Sequence, residues 1–76
     1  MRGPDRAEVL EYVRQHPGTD VRGIVADLYP DASPYDAHYM RGWVSRHLTD
    51  LRAKGLIIGE PVHGGRGRMN KWRASE

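Results

Sequence analysis

Side chains that carry charge or form hydrogen bonds are concentrated on one face of the longest predicted helix, Pro34 to Lys54. If Val44 is the centre of the buried face, a rotation of about 100° per residue places these residues outward: Tyr35, His38, Tyr39, Gly42, Ser45, Arg46 and Thr49. Arg41 and Trp43 fall on the two flanks. Hydroxyl, phenol, imidazole and guanidinium groups can reach base edges and phosphates, so the pattern indicates a DNA-binding surface.

A second basic group lies in and after the glycine-rich sequence HGGRGR at positions 63–68. Glycines permit positive φ, so we expect a tight connection with Arg66 and Arg68 at its tip. Lys71 and Arg73 should face outward from the strand that follows. Arginines at a turn tip have no core to support, so we predict that this group contacts phosphates.

The charge distribution points the same way. Residues 1–40 hold four arginines and seven acidic residues, a net charge of −3, whereas residues 41–76 hold eight basic and three acidic residues, a net charge of +5. The overall formal charge of +2 hides this division. Positive charge gathered on the last helix and the strands is typical of a surface that attracts phosphates.

Length and composition exclude several classes of protein. A chain of 76 residues is expected to form a single domain, residues 1–76, too small for a large substrate pocket. It has no cysteine, which excludes disulfides and thiolate zinc sites. No apolar stretch approaches the roughly 18 residues of a membrane span, and the N-terminus lacks the apolar segment of a secretion signal. We expect a cytoplasmic protein that does not bind membranes.

Two short helices should precede the long one. Asp5 and Glu8 form a capping-box pattern for the first, which should end at residues 16–18, where a proline and a glycine follow His16. Thr19 or Asp20 should cap the second. Its apolar residues keep helical spacing: Val21, Ile24, Val25 and Leu28.

The long helix should begin at Ser33 and Pro34, a typical cap and first-turn pair, and end at Gly55. Its buried stripe is predicted to be Ala37, Met40, Val44, Leu48 and Leu51. Residues 56–58 and 69–74 then read as an antiparallel hairpin with Trp72 facing inward. The predicted fold is α+β: three helices followed by a two-stranded β-hairpin.

The segment from Val44 to Ile57, VSRHLTDLRAKGLI, resembles the recognition helix and first wing strand of bacterial winged helix-turn-helix regulators of the multiple-antibiotic-resistance type. A pattern like V-S-R-x-L-x-x-L-x-x-K-G-L-I is common in that family. Residues 16–18 and 21–25 look like the loop into the first helix of the helix-turn-helix unit. The similar pieces together cover most of residues 5–74.

The resemblance implies that the long helix enters the major groove and that the hairpin tip touches the adjacent backbone or minor groove. Ser45 and Arg46 match the family's pair of base- and phosphate-contacting residues. Two features depart from the family. The connection from Leu28 to Val44 is several residues longer than the usual turn, with Tyr29 to His38 as extra material, and no dimerisation helix follows residue 76. If Arg46 contacts only the backbone, the next candidates for reading bases are His38, Tyr39 and Arg41. We therefore expect weak binding by a single module, a homodimer through another surface, or cooperative assembly on DNA.

The leading hypothesis is a sequence-specific double-stranded DNA-binding protein, either a transcriptional regulator or an accessory factor of phage or mobile-element recombination. The alternative is a winged-helix protein–protein docking module, because Tyr35, Tyr39 and Trp43 are aromatic residues of a kind enriched at interfaces. Left-handed duplex recognition is disfavoured, since the Pro-Pro-x-Trp wing of such domains is absent around Trp72.

Enzymatic, metal and cofactor sites are not predicted. The histidines, His16, His38, His47 and His63, lack i, i+4 spacing, and neither Ser33 nor Ser45 lies in a glycine-framed nucleophile turn. The glycine-rich stretch lacks the G-K-[ST] ending of a phosphate-binding loop. We expect Trp43 to pack under the hairpin or against the long connection rather than to contact DNA.

Overall fold

A computed structural model of the protein describes residues 4–61 and 70–75. Three helices precede two strands: α1 (Arg6–Gln15), α2 (Val21–Leu28), α3 (Pro34–Ala53), β1 (Ile57–Pro61) and β2 (Asn70–Ala74). The predicted fold class, α+β with three helices followed by an antiparallel pair of strands, is confirmed. The layout is consistent with a winged-helix arrangement. The predicted loop tip with Arg66 and Arg68 lies outside the described residues.

Side-chain caps fix where the second and third helices begin. Asp20, one of the two predicted caps of α2, accepts the backbone N–H of Gly23 at 2.8 Å. Ser33 accepts the N–H of Asp36 at 3.1 Å, and Pro34 follows it in the first turn. These bonds satisfy amides that have no partner within the helix, so the local sequence determines both start points.

The ends of α1 and α3 also follow local signals. The predicted capping box of α1 is present, and in it the backbone N–H of Asp5 donates to Glu8 at 3.4 Å. Gly55 has φ +77° just after α3, and the N–H of Leu56 donates to the carbonyl of Leu51 at 3.0 Å. This bond closes the helix in the geometry that favours glycine.

The core lies between α3 and the other four elements. Four of its residues come from α3 and the rest from α1, α2 and both strands: Met40, Val44, Leu48, Leu51, Val9, Val13, Ile24, Val25, Ile57 and Trp72. Ala37 is half-buried and packs against this cluster. The predicted buried stripe of α3 is thus confirmed, and the opposite face is left exposed.

The sheet has a contact that the sequence did not predict. β1 and β2 pair antiparallel, with Gly59 opposite Trp72. On its other edge, Trp72 donates its backbone N–H to Thr19 at 2.7 Å, and its carbonyl accepts the N–H of Gly18 at 2.9 Å. β2 therefore lies between β1 and the connection from α1 to α2, which anchors the strand in the body of the fold.

Trp72 packs inward, as predicted, with 6% of its surface exposed. Its ring lies over Gly59, where an added Cβ would be 2.7 Å from the ring atom Cζ3. Only glycine leaves room for the indole at this cross-strand position. The tryptophan thus connects the sheet to the helical core. Within the described residues, no helix has the length and apolar character needed to cross a membrane.

Candidate nucleic-acid interface

The predicted contact residues of α3 lie on its outward side. His38, Tyr39, Ser45, Arg46 and Thr49 are exposed, and Arg41 is half-buried. On β2, Lys71 and Arg73 are exposed on either side of the buried Trp72, as the alternation predicts. Arg66 and Arg68 lie outside the described residues. The structure divides the α3 residues between two surfaces.

The first surface is a groove between α3, the start of α2 and the start of β2, here termed the basic groove. Its polar residues are Arg22, Arg41, Ser45, Thr49 and Asn70, and its apolar residues are Val21, Leu48 and Trp72. Leu48 and Trp72 belong to the core, so the polar side chains stand on a packed base. Three of the predicted residues, Arg41, Ser45 and Thr49, therefore lie together.

Spacing along α3 and two hydrogen bonds order this side of the helix. Arg41, Ser45 and Thr49 follow each other at four-residue intervals, which places them on successive turns, about 6 Å apart. The guanidinium of Arg41 lies 3.3 Å from Nδ1 of His38. Because arginine can only donate, Nδ1 of His38 is the acceptor in this contact. Thr49 donates to the carbonyl of Ser45 at 3.0 Å.

The arginines around α3 differ from the cations of β2 in whether an acidic side chain is paired with them. Within residues 4–61 and 70–75, Arg22, Arg41 and Arg46 have no acidic partner. The cations of β2 are paired with carboxylates. Lys71 lies 3.5 Å from Asp20, whose other oxygen caps α2.

Arg73 is paired across the sheet. Its Nε donates to Glu60 at 2.6 Å. Both β2 ion pairs are partly exposed to solvent. The arginines around α3 are therefore available to an anion as they stand, whereas Lys71 and Arg73 must first exchange a carboxylate.

The second surface is on the other side of α3, here termed the aromatic ridge: Tyr35, Tyr39 and Trp43, four residues apart. The rings of Tyr39 and Trp43 meet edge to face with centroids 6.4 Å apart. The guanidinium carbon of Arg46 lies 5.7 Å from the centroid of the Trp43 ring. Ser45 and Arg46, which the resemblance treats as one contacting pair, therefore lie on different surfaces.

Trp43 is not placed where the sequence prediction put it. Its ring lies beside His47, with centroids 6.4 Å apart, and it borders a depression formed with the start of α1 at Pro4 and Leu10. Nε2 of His47 donates to the carbonyl of Pro4 at 2.7 Å, which holds the segment before α1 against α3. Trp43 therefore faces the start of α1 rather than the long connection, and 37% of it stays exposed.

Two residues of the basic groove were missed by the sequence prediction, Arg22 and Asn70. Arg22 lies in the first turn of α2, and its position beside α3 depends on how the two helices pack. Asn70 has a signal in the sequence, because it shares the alternation of Trp72 and so falls on the same side of β2.

The tyrosines with shifted pKa values, Tyr12 and Tyr29, line neither the basic groove nor the aromatic ridge, although Tyr29 borders a depression shared with Arg22 and Arg41. Burial raises the pKa of Tyr12, and so does its hydrogen bond to Asp27; its hydroxyl is also 3.5 Å from the carbonyl of Gly23. Burial raises the pKa of Tyr29, with smaller contributions from Glu8 and Asp5. Both phenols stay protonated at neutral pH. The contacts of Tyr12 join α1 to α2, which is a structural role.

Among the described residues, no three His, Cys, Asp or Glu side chains come together in a way that could hold a metal ion. Comparison of the chain with protein-family models, with curated proteins and with solved structures gives no match. The geometry and charge of the two surfaces are therefore the observations that bear on function.

Proposed function

We propose that this protein is a cytoplasmic, sequence-specific double-stranded DNA-binding protein, a transcriptional regulator or a phage or mobile-element recombination accessory factor. The basic groove is the observation that carries the proposal. It combines two arginines, two hydroxyls and an amide; among the residues that the structure describes, the arginines have no acidic partner and no acidic residue lines the groove. These are the groups that contact phosphates and base edges in protein–DNA complexes.

The dimensions of α3 suit the major groove. A helix of 20 residues is about 30 Å long, and the major groove, about 12 Å wide, admits a helix with its side chains. In this arrangement Arg41 faces a guanine, whose O6 and N7 accept two hydrogen bonds from a guanidinium. Ser45 and Thr49 contact bases or phosphates one and two turns further along. Asn70 adds an amide of the type that pairs with adenine.

Phosphate contacts come from the edges of the groove. Arg22 lies in the first turn of α2, at the edge of the groove. Lys71 and Arg73 contact phosphates after releasing Asp20 and Glu60, a small cost because partly exposed ion pairs contribute only about 0 to 1 kcal/mol. Arg66 and Arg68 are proposed to extend these contacts along the backbone. One module makes few contacts, so a homodimer or cooperative assembly on DNA belongs to the proposal.

The test is a salt titration of binding to genomic and random duplexes, followed by fluorescence anisotropy. The logarithm of the affinity should fall linearly with the logarithm of the salt concentration, with a slope of about −0.9 for each phosphate contact. Arg22→Ala should reduce that slope by about 1 and weaken all duplexes alike. The double variant Arg66→Ala/Arg68→Ala should reduce the slope by about 2 and likewise weaken binding to all duplexes. No duplex binding at about 50 mM salt would refute the proposal.

The alternative function, a winged-helix protein–protein docking module, is favoured by the exposure of the aromatic ridge. Tyr35 is 79% exposed and Tyr39 48% exposed, and aromatic residues are enriched in protein interfaces. This function would replace the first if the purified protein bound no duplex while Tyr39→Ala abolished its co-purification with one defined protein partner.

A further inference from the structure

Among the described residues, two members of the aromatic ridge, Tyr35 and Tyr39, do not pack against the core. Tyr35 contributes to no buried cluster and is 79% exposed, Tyr39 is 48% exposed and Trp43 37% exposed. Large aromatic side chains in a row on a surface helix leave apolar area in water, which is typical of a binding site. The basic groove does not use them, because it lies on the other side of α3.

The ridge also encloses an open notch. Gly42 occupies the middle of α3, and a Cβ added there would meet nothing within 4 Å. Glycine disfavours a helix interior, so the position carries a conformational cost that packing does not require. The glycine borders a shallow depression together with His38, Tyr39, Trp43 and Arg46. Without a side chain at Gly42, a flat group can approach the helix backbone between the rings.

The charges around the depression select an anion. In the described part of the chain, its lining holds one guanidinium and one imidazole and no carboxylate. Arg46 lies on the face of Trp43, where the contact holds its charge beside the notch. Nδ1 of His38 is occupied by Arg41, so the ring directs an Nε2–H donor away from that bond. The surface therefore offers aromatic faces and cationic or hydrogen-bonding groups side by side.

We propose that the aromatic ridge binds an unpaired nucleic-acid strand. Bases stack on Tyr35 and Tyr39, and Arg46 and His38 contact the phosphates between them. Aromatic side chains interleaved with cations are the recurring solution for single strands, since every base has a π-face and every linkage a negative charge. Rings at four-residue intervals lie about 6 Å apart along α3, so neighbouring nucleotides can each meet one ring. This site is separate from the proposed duplex-binding groove and does not depend on it.

The protein contains its own reporter for the test. Trp43 is partly exposed on the ridge, whereas Trp72, the second tryptophan, is 6% exposed in the core. An oligothymidylate of about ten nucleotides, within the roughly 4 to 16 that single-strand-binding folds cover, should quench the fluorescence of Trp43 on titration. A labelled copy of the strand gives the affinity independently by anisotropy. Trp43→Phe should remove the quenching while the labelled strand still binds.

Substitutions on the ridge separate stacking from charge attraction. Tyr39→Ala should weaken the strand about 5- to 150-fold, the range measured for loss of one stacked base, whereas Tyr39→Phe keeps the ring and should stay within about twofold of the parent. Tyr35→Ala should give a smaller loss in the same direction. Both positions are exposed enough that thermal unfolding should confirm an intact fold.

Three results would overturn this proposal. The first is no binding of the strand at low salt, and the second is equal affinity for the parent and Tyr39→Ala. The third is equal quenching by a polyglutamate peptide of matched charge with the same dependence on Tyr39, which would assign the ridge to acidic protein segments. Duplex affinity of the parent and of Arg22→Ala, measured in parallel, reports on the basic groove alone. A ridge that does not bind the single strand and a groove that does not bind the duplex are therefore recognised separately.

Discussion

The two faces of α3 differ in what determines their residues. On the inner face, Met40, Val44 and Leu48 are fully buried, and Leu51 is 1% exposed. On the outer face, Ser45, Arg46 and Thr49 are exposed and have no role in the core. Val44 is therefore buried, whereas the next two residues, Ser45 and Arg46, are exposed to solvent. The same helix therefore stabilises the fold with its inner face and leaves its outer face exposed to solvent.

The outer face is itself divided. Ser45 lies in the basic groove beside Arg41 and Thr49, whereas Arg46 lies on the ring of Trp43. A sequence neighbour is rotated by about 100° on a helix, so adjacent residues can serve different surfaces. Substitutions on the two faces, and on the two sides of the outer face, should therefore have separable effects.

The largest effect on stability is expected for Leu48→Ala. Leu48 extends from α3 into the core and is fully buried there. The free energy of unfolding should therefore fall by about 2 to 5 kcal/mol, a large share of a small domain's stability. Thr49→Ala, one residue away on the outer face, should change it by at most about 0.5 kcal/mol. Urea denaturation measures both. If the two variants lost similar free energies of unfolding, the assignment of Leu48 to the buried face and Thr49 to the exposed face would be wrong.

Gly59→Ala should be the next most damaging substitution. The new Cβ would be 2.7 Å from Cζ3 of Trp72, so the indole must shift out of its site in the core. Overpacking of this kind costs about 1 to 3 kcal/mol. Thermal unfolding and the near-UV circular dichroism of Trp72 should both change. A variant with the parent's midpoint and spectrum would mean that the indole does not lie over this glycine.

Asp20 links the fold to the basic groove, because it caps α2 and pairs with Lys71. Asp20→Ala should lose about 0.5 to 2 kcal/mol through the cap, whereas Asp20→Asn keeps a capping oxygen and should lose less than about 1 kcal/mol. Both variants free Lys71, so both should bind duplex DNA more tightly at low salt. Weaker duplex binding by Asp20→Asn, with its fold intact, would contradict the proposed exchange of carboxylate for phosphate.

The smallest effect is expected for Gly42→Ala, and its sign is opposite. A methyl group at this position meets no atom within 4 Å, and alanine favours a helix interior over glycine by about 0.5 to 1 kcal/mol. The variant should therefore be more stable than the parent in the same urea series. A less stable variant would show that the fold itself requires Gly42, and the glycine would then no longer support a binding site on the aromatic ridge.

The sequence predicted those parts of the fold that follow from local chemistry. The caps Asp20 and Ser33, the closing Gly55 and the buried stripe of α3 are confirmed, because each depends on spacing within one segment. The bridge between Thr19 and Trp72 was not predicted, since a single paired residue leaves no alternating pattern.

The candidate site was predicted less completely than the fold. Arg22 joins Arg41 only because α2 packs on α3 in a particular orientation. The position of Arg46 depends on a side-chain rotamer that brings it to Trp43. Residues that act alone on an exposed face can be recognised from periodicity, whereas a surface built from several elements requires the three-dimensional arrangement.

The most direct test of the central claim is selection of preferred sites from random duplexes by the parent, Arg41→Ala and Arg46→Ala. If the basic groove reads bases, the parent should return a defined site, and Arg41→Ala should lose about 1 to 3 kcal/mol of preference at one base pair. Arg46→Ala, on the ridge side, should return the parent's site with the parent's base preferences, because Arg46 does not line the basic groove. The same site with the same preferences from the parent and Arg41→Ala would contradict the account, as would the absence of any preferred site from the parent.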